Sequence, residues 1–318
     1  MIRIRRLLAA TALLGLAAAP ALADCISLMA GFDQAVAARN IDAVRKAVGD
    51  IGASLTCKDR RGEFQDKAFT FMIALAAAPA SSEDLRRKAL DTLEETMPGN
   101  GTWKNASDLA DYYAARKQRP QALKWFDNAV TFMATRLSSK PTDEQKKNLA
   151  QRAALTKALA SDDKGGTVSV AYAATQRDNV DGSIGGIYSP QLRGAEPLPI
   201  PLPIQFFTGE TRLTPNGEKA IAELAQAAKE QNIPHLKLIG HADPRGTPQF
   251  NLELSRRRVE AVRGFLLNFM GGQHIAIDID WKGSQQPIDA GVLGYPISQD
   301  ELWALDRRVE CVLDAAAN

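Results

Sequence analysis

From Cys25 to about Ala160, apolar residues recur at helical spacing, with Ile41, Val44 and Val48 on one face and Leu85, Leu90 and Leu93 on another. Asn40, Pro79-Ala80-Ser81, Pro98-Gly99-Asn100-Gly101 and Pro141-Thr142 interrupt these runs, which predicts a stack of antiparallel helices joined by short turns. Between residues 161 and 197 the pattern lapses. Glycines at 165, 166, 182, 185 and 186 flank a short strand-like run, Thr167 to Ala173. "EPLPIPLPI" follows, with proline at 197, 199, 201 and 203, and reads as an extended, stiff spacer. Beyond it the pattern is mixed. Ile204 and Phe206 open a strand, Thr214-Pro215 starts a helix with Ile221, Leu224 and Ala228 on one face, and Leu236 and Leu238 form a second strand. Asn251 to Phe269 reads as a second helix, apolar at Val259, Val262, Leu266 and Phe269. Ile275, Ile277 and Ile279 alternate as a third strand, and Val309, Cys311 and Leu313 as a fourth. The order βαβαββ predicts helices packed on one mixed sheet. The expected fold class is multidomain α plus α/β: a helical domain over 24–160, a linker over 161–197 and a sheet-containing domain over 198–318.

One helical pair is more specific. "TWKNASDLADYYAARKQRPQALKWFDNAVTFM" sets Leu109, Ala110, Tyr113, Ala122, Phe126 and Ala129 at the spacings of a tetratricopeptide repeat, and it resembles that family over one repeat. Tyr113 and Phe126 supply bulk between two helices, while the alanines allow close approach. A single repeat cannot cover its own faces, so neighbouring hairpins must do so. The segment is expected to be an irregular, TPR-like helical domain, with protein binding as an added role.

The chain start changes the compartment. Arg3, Arg5 and Arg6, an apolar stretch from Leu7 to Ala19, and Ala21-Leu22-Ala23 compose a secretory signal peptide over 1–23, with the mature chain beginning at Asp24. An uncleaved anchor is the weaker reading, because the stretch is short for a span and ends at Pro20. No later segment is long and apolar enough to cross a bilayer. Loss of three arginines takes the formal net charge from +2 to −1, which removes the electrostatic case for nucleic acid or an anionic membrane surface. In an oxidising compartment Cys25 and Cys57, which bracket the first helical pair, are expected to form a disulfide, with Cys311 left as a buried thiol. Asp24 immediately before Cys25 argues against lipid attachment there.

"IGHADPRGTPQFNLELSRRRVEAV" carries the candidate chemistry. Asp243 falls just past the second strand, in a loop with Pro244, Gly246 and Pro248. Asn251, Ser255 and Arg258 follow at intervals of four and three, on one face near a helix start. A carboxylate and a guanidinium brought together in this way suit a zwitterion, the first accepting from an ammonium and the second holding a carboxylate. An internal ion pair or a helix cap is the competing reading of the same residues. Arg256 and Arg257 read as a solvated face, and His241 as a hydrogen-bonding residue at a strand end.

The longer string resembles the signature of the OmpA-like C-terminal domain family. That signature runs Gly-His-Thr-Asp, then Gly, then Asn-x-x-Leu-Ser-x-x-Arg-Ala-x-x-Val. Gly240, His241, Asp243, Gly246, Asn251, Leu254, Ser255, Arg258 and Val262 match it, and "DRRVEC" resembles the family's Asn-Arg-Arg-Val. The resemblance covers about Leu198 to Leu313. It implies non-covalent binding of peptidoglycan, with Asp243 and Arg258 gripping the amino and carboxyl groups of diaminopimelate in the stem peptide. Asn251 and Ser255 would then line the cleft, with Arg308 supporting it. Ala242, Val259 and Asp306 depart from the pattern, and Phe207 and Gly209 stand where polar residues are usual.

Enzyme chemistry finds little support. Histidines 235 and 241 would lie about 20 Å apart along an extended strand, too far to share a metal. There is no Gly-x-Ser-x-Gly elbow, and "GSIGGIYS" lacks the Lys-Ser/Thr of a phosphate loop. An outer-membrane barrel would need alternating strands that are absent. The sequence therefore predicts a non-catalytic protein without cofactor or metal, exported to the periplasm of a Gram-negative cell and associated with the wall or outer membrane. It would bind peptidoglycan through residues 198–318 and present its helices to a protein partner. The alternative is an envelope adaptor in which peptidoglycan binding is vestigial.

Overall fold

The structure, a computed structural model, describes residues 18–136, 141–162 and 199–313, apart from 203, 205, 208, 214, 231 and 272–274. The basic start of the signal and the glycine-rich stretch with its strand-like run lie outside the described residues. Contacts divide the chain into two compact units that meet at Asn100 and Gly101.

The first unit holds α1 (Ala18–Ala37), α2 (Ile41–Ala53), a 3₁₀ turn (Lys58–Arg60), α3 (Arg61–Ala77) and α4 (Glu83–Asn100). Asn40 caps α2 by accepting from the Ala43 amide at 3.1 Å, and Ile41, Val44, Val48 and Ile51 form its buried face. On α4 the buried face is Ala89, Thr92, Leu93 and Met97, and the helix runs on through Pro98 to Asn100 rather than breaking there. Cys25 and Cys57 form a disulfide with Cα atoms 5.3 Å apart, tying α1 to the end of the α2–α3 connection. Phe32 packs edge-on against Phe64 beside it, the ring centroids 4.9 Å apart.

The second unit begins with α5 (Trp103–Ala115), α6 (Arg119–Thr135) and α7 (Asp143–Asp162). Thr102 and Asn105 form a reciprocal capping box at the start of α5. The α5–α6 hairpin buries Leu109, Ala110, Tyr113, Ala122, Phe126 and Ala129, all at 5% exposure or less. Next come β1 (Pro199–Leu202), α8 (Pro215–Glu230), β2 (His235–His241), α9 (Pro248–Met270), β3 (Ala276–Gly283), a 3₁₀ turn (Ala290–Leu293), α10 (Gln299–Asp306) and β4 (Val309–Leu313). The sheet order is β1-β4-β2-β3, with β2 and β3 parallel and the other pairs antiparallel.

Three features differ from the sequence expectation. The first strand is Pro199–Leu202, inside the segment read as a spacer, whereas Phe206 makes only an isolated bridge to Leu213. Prolines at alternate positions leave the Ile200 and Leu202 amides free to face β4 and put the missing donors on the sheet's outer edge, where they cost nothing. Second, α10 lies between β3 and β4; Ser298 and Glu301 form its capping box. Third, the contacts do not divide the chain after residue 160. α7 packs against β1, α10 and the second 3₁₀ turn, and Leu155 and Leu159 share an apolar cluster with Leu293 and Leu305.

Glu301 adds an ionic tie across this cluster, lying 2.5 Å from Arg119 on α6 and 3.0 Å from Lys117. Burial pushes its pKa up, but bonds from the Ser298 amide and hydroxyl, Lys117 and Arg119 outweigh that and hold it at about 2. A carboxylate depressed on folding contributes stability that is fully present above its unfolded value of 4.5 and is lost as pH falls toward about 2. Glu301→Gln is therefore expected to destabilise the protein on the order of 2 kcal/mol at neutral pH, Lys117 being largely exposed. In denaturant titrations the gap to the parent should close between pH 4.5 and 2.

Candidate functional site

The second strand ends at His241, and the chain crosses Ala242 and Asp243 into a loop that turns at Gly246, where φ is +99°. Thr247 caps α9 by accepting from the Phe250 amide at 3.2 Å, and Pro248 occupies the first turn. Helix α9 then lies tightly against β2. A Cβ on Gly240 would collide with the Ser255 carbonyl and sit 3.3 Å from the Val259 Cβ, so only glycine fits.

That close approach explains most of the motif. Ser255 is fully buried; its hydroxyl accepts from the Gly283 amide at 3.0 Å and donates to the Leu252 carbonyl at 2.8 Å, pinning α9 to the end of β3. The Asn251 amide donates to the Asp243 carbonyl at 3.0 Å and holds the loop in place. Both side chains bond backbone groups that shape the cleft, and Asn251 Nδ2 also lies 3.4 Å from Ser284 Oγ.

Asp243 is 8% exposed. Its Oδ1 accepts from the backbone amide and Nε of Arg245, each at 3.1 Å; its Oδ2 accepts from Arg245 Nη2 at 2.8 Å and Arg307 Nη1 at 3.2 Å. Burial pushes its pKa up, but the bonds from Arg245 and Arg307 prevail and hold it below the usual carboxylate value. Arg245 also lies over the Trp303 ring, 4.7 Å from the centroid.

Arg258 is 2% exposed. Its Nε donates to the Glu210 carbonyl at 3.2 Å, and its guanidinium sits 5.0 Å from the centroid of Phe206. Nη1 has no hydrogen-bond partner among the described residues. Burial pushes its pKa down to about 10, with the Arg307 charge adding to the effect and that of Asp243 opposing it. A buried guanidinium with an unused donor is costly unless something supplies an acceptor.

Arg308 makes its bonds to the neighbouring strand residue and to the loop after β3. Its Nε donates to Glu310 Oε1 at 2.8 Å and its Nη2 to the Gln286 carbonyl at 3.1 Å. His241 Nε2 approaches Glu310 Oε2 at 3.3 Å, and Asp306 accepts from the Ile288 amide at 2.8 Å, its pKa raised by burial. The arginine that reaches Asp243 is the preceding one, Arg307. With Val309 and Cys311 in the core, strand alternation puts 308 with 310 on the other face. Arg307 instead closes α10, so its direction comes from a helix that the sequence reading did not place. Arg245, Arg307, Phe206 and the Glu210 carbonyl were all missed; the Ser-x-x-Glu of residues 298–301 was the available signal for α10. Among the described residues no group of three or more His, Cys, Asp or Glu could hold a metal ion.

A mixed sheet with helices against it, a strand-end carboxylate and a buried guanidinium define an α/β domain. Residues 205–294 match the model of the OmpA family, and the chain carries an OmpA-like C-terminal domain. It is 42% identical over 66 residues to Outer membrane protein 41 of Porphyromonas gingivalis, covering 20% of this chain and 17% of that protein. It is 33% identical over 73 residues to the Peptidoglycan-associated lipoprotein of Pseudomonas aeruginosa, covering 23% of this chain and 39% of that protein. The chain thus spans well under half the length of these curated relatives. Among solved structures, the peptidoglycan-associated lipoprotein from Burkholderia pseudomallei is similar over 35% of this chain and 88% of that chain, at 24% identity and a TM-score of 0.30.

Proposed function

We propose that the second unit binds peptidoglycan non-covalently, with the diaminopimelate of the stem peptide placing its carboxylate on Arg258 and its ammonium on Asp243. The observation that carries this reading is the buried Nη1 of Arg258, which has no hydrogen-bond partner among the described residues and lies within electrostatic reach of the Asp243 carboxylate. A ligand carboxylate meets that donor, and a guanidinium fork suits its planar geometry. The name of one relative, the Peptidoglycan-associated lipoprotein of Pseudomonas aeruginosa, supports the same ligand class. Asn251 and Ser255 set the cleft's shape, and Arg307 holds Asp243 from behind.

In this reading the chain is exported through a signal peptide cleaved after Ala23, is not lipidated at Cys25, and works at the wall or outer membrane of a Gram-negative cell without catalysing a reaction. The outer surfaces of the helices in residues 24–160 engage a protein partner in this reading. The test is cosedimentation of the mature chain, from Asp24 onward, with purified sacculi. Saturable binding is expected; failure to bind would leave the adaptor alternative in its place.

A further inference from the structure

A carboxylate offers about four acceptor directions, and all four on Asp243 are taken by Arg245 and Arg307. An incoming ammonium therefore has to displace a donor. Arg307 is the poor candidate, because its side chain is only 25% exposed. Arg245 is 50% exposed, reaches Asp243 from two residues away, and, while forked on the carboxylate, lies over the Trp303 ring with the charge of Asp300 nearby.

We infer that Arg245 is a displaceable plug: its guanidinium holds the ammonium seat of Asp243 until a ligand arrives, leaves the carboxylate for solvent on binding, and so sets the threshold affinity. This rests on the proposed role of the Asp243–Arg258 cleft. The Arg245 backbone amide keeps its bond to Oδ1 throughout, so the loop holds its shape while the side chain leaves. Together with Arg307, the plug keeps a largely buried carboxylate fully paired while it waits, which limits the cost of burying its charge.

The consequence runs against ordinary expectation for an arginine beside a binding carboxylate, because removing it should tighten binding. A partly exposed forked pair is a modest competitor, so Arg245→Ala is expected to bind sacculi about three- to tenfold more tightly than the parent. Arg245→Lys keeps the charge but loses the fork and should fall between the two. The experiment is a cosedimentation titration of purified sacculi with the mature chain, Arg245→Ala, Arg245→Lys and Arg258→Ala, each checked by circular dichroism. A gain in affinity cannot arise from a damaged loop. Unchanged or weaker binding by Arg245→Ala, with the parent binding and Arg258→Ala failing, overturns the plug and leaves the cleft standing. If no protein binds, the cleft and the plug fall together.

Discussion

Arg258→Ala and Asp243→Ala are each expected to weaken binding of sacculi roughly a hundredfold, using the cost of about 2–5 kcal/mol for truncating one side of a buried charge pair. Each variant strands the opposite charge of the ligand in a cleft that water reaches poorly. Arg258 also bonds the Glu210 carbonyl and lies against Phe206, so its removal can loosen the fold, and two milder changes guard against that. Asp243→Asn keeps the volume and removes the charge. Arg258→Lys keeps the charge and removes the fork, and should recover only part of the loss. Arg256→Ala and Arg257→Ala serve as controls. Arg256 is paired with Glu253 and Glu260 and Arg257 with Glu253 on the outer face of α9, and binding should barely change in either. Equal losses in the controls would mean that sacculi see a diffuse positive surface.

The second large effect belongs to the first unit. Replacing Cys25 and Cys57 together with alanine opens a loop of 32 residues, and loop closure of that length is worth about 3–4 kcal/mol. For a unit of this size the melting temperature should fall roughly 15–25 °C. Both sulfurs are buried, so a slow response to reductant in the folded state is expected as well. Two free thiols in the unreduced exported protein, seen by mass mapping, would contradict the bond. Peptidoglycan binding should survive the change, because the cleft belongs to the other unit.

The parts legible in the sequence were those with a strong period or a fixed spacing. Ile221, Leu224 and Ala228 on α8, and Leu236 and Leu238 on β2, are all buried where periodicity put them, and Asp243 does lie just past the end of β2. Phe269, assigned to the same apolar face of α9 as Leu266, is 40% exposed, with Met270 buried in its place. The proline run was misread because alternate prolines suit a free extended spacer and a sheet edge equally well, and only the partner strand decides between them. The cleft was legible in its two principal charges and illegible in their neighbours. Arg245 is two residues from Asp243, yet its fork onto the carboxylate depends on the turn at Gly246. Arg307 arrives from 64 residues away through an eight-residue helix too short to announce itself by period. Ser255 looked like a ligand-facing hydroxyl because spacing reports the helix face and not the close approach at Gly240 that turns this one inward.

The central claim is that the cleft reads an ammonium and a carboxylate held side by side. It is tested most directly by calorimetric titration of the mature chain with a stem peptide containing meso-diaminopimelate, set against the same peptide with lysine at that position. Lysine keeps the ammonium for Asp243 but brings no carboxylate to Arg258, so Nη1 gains no acceptor from it. The diaminopimelate peptide should bind, and the lysine peptide should bind at least tenfold more weakly, since about 1.4 kcal/mol is the least a charged hydrogen bond should contribute. Equal affinity for the two peptides would contradict it.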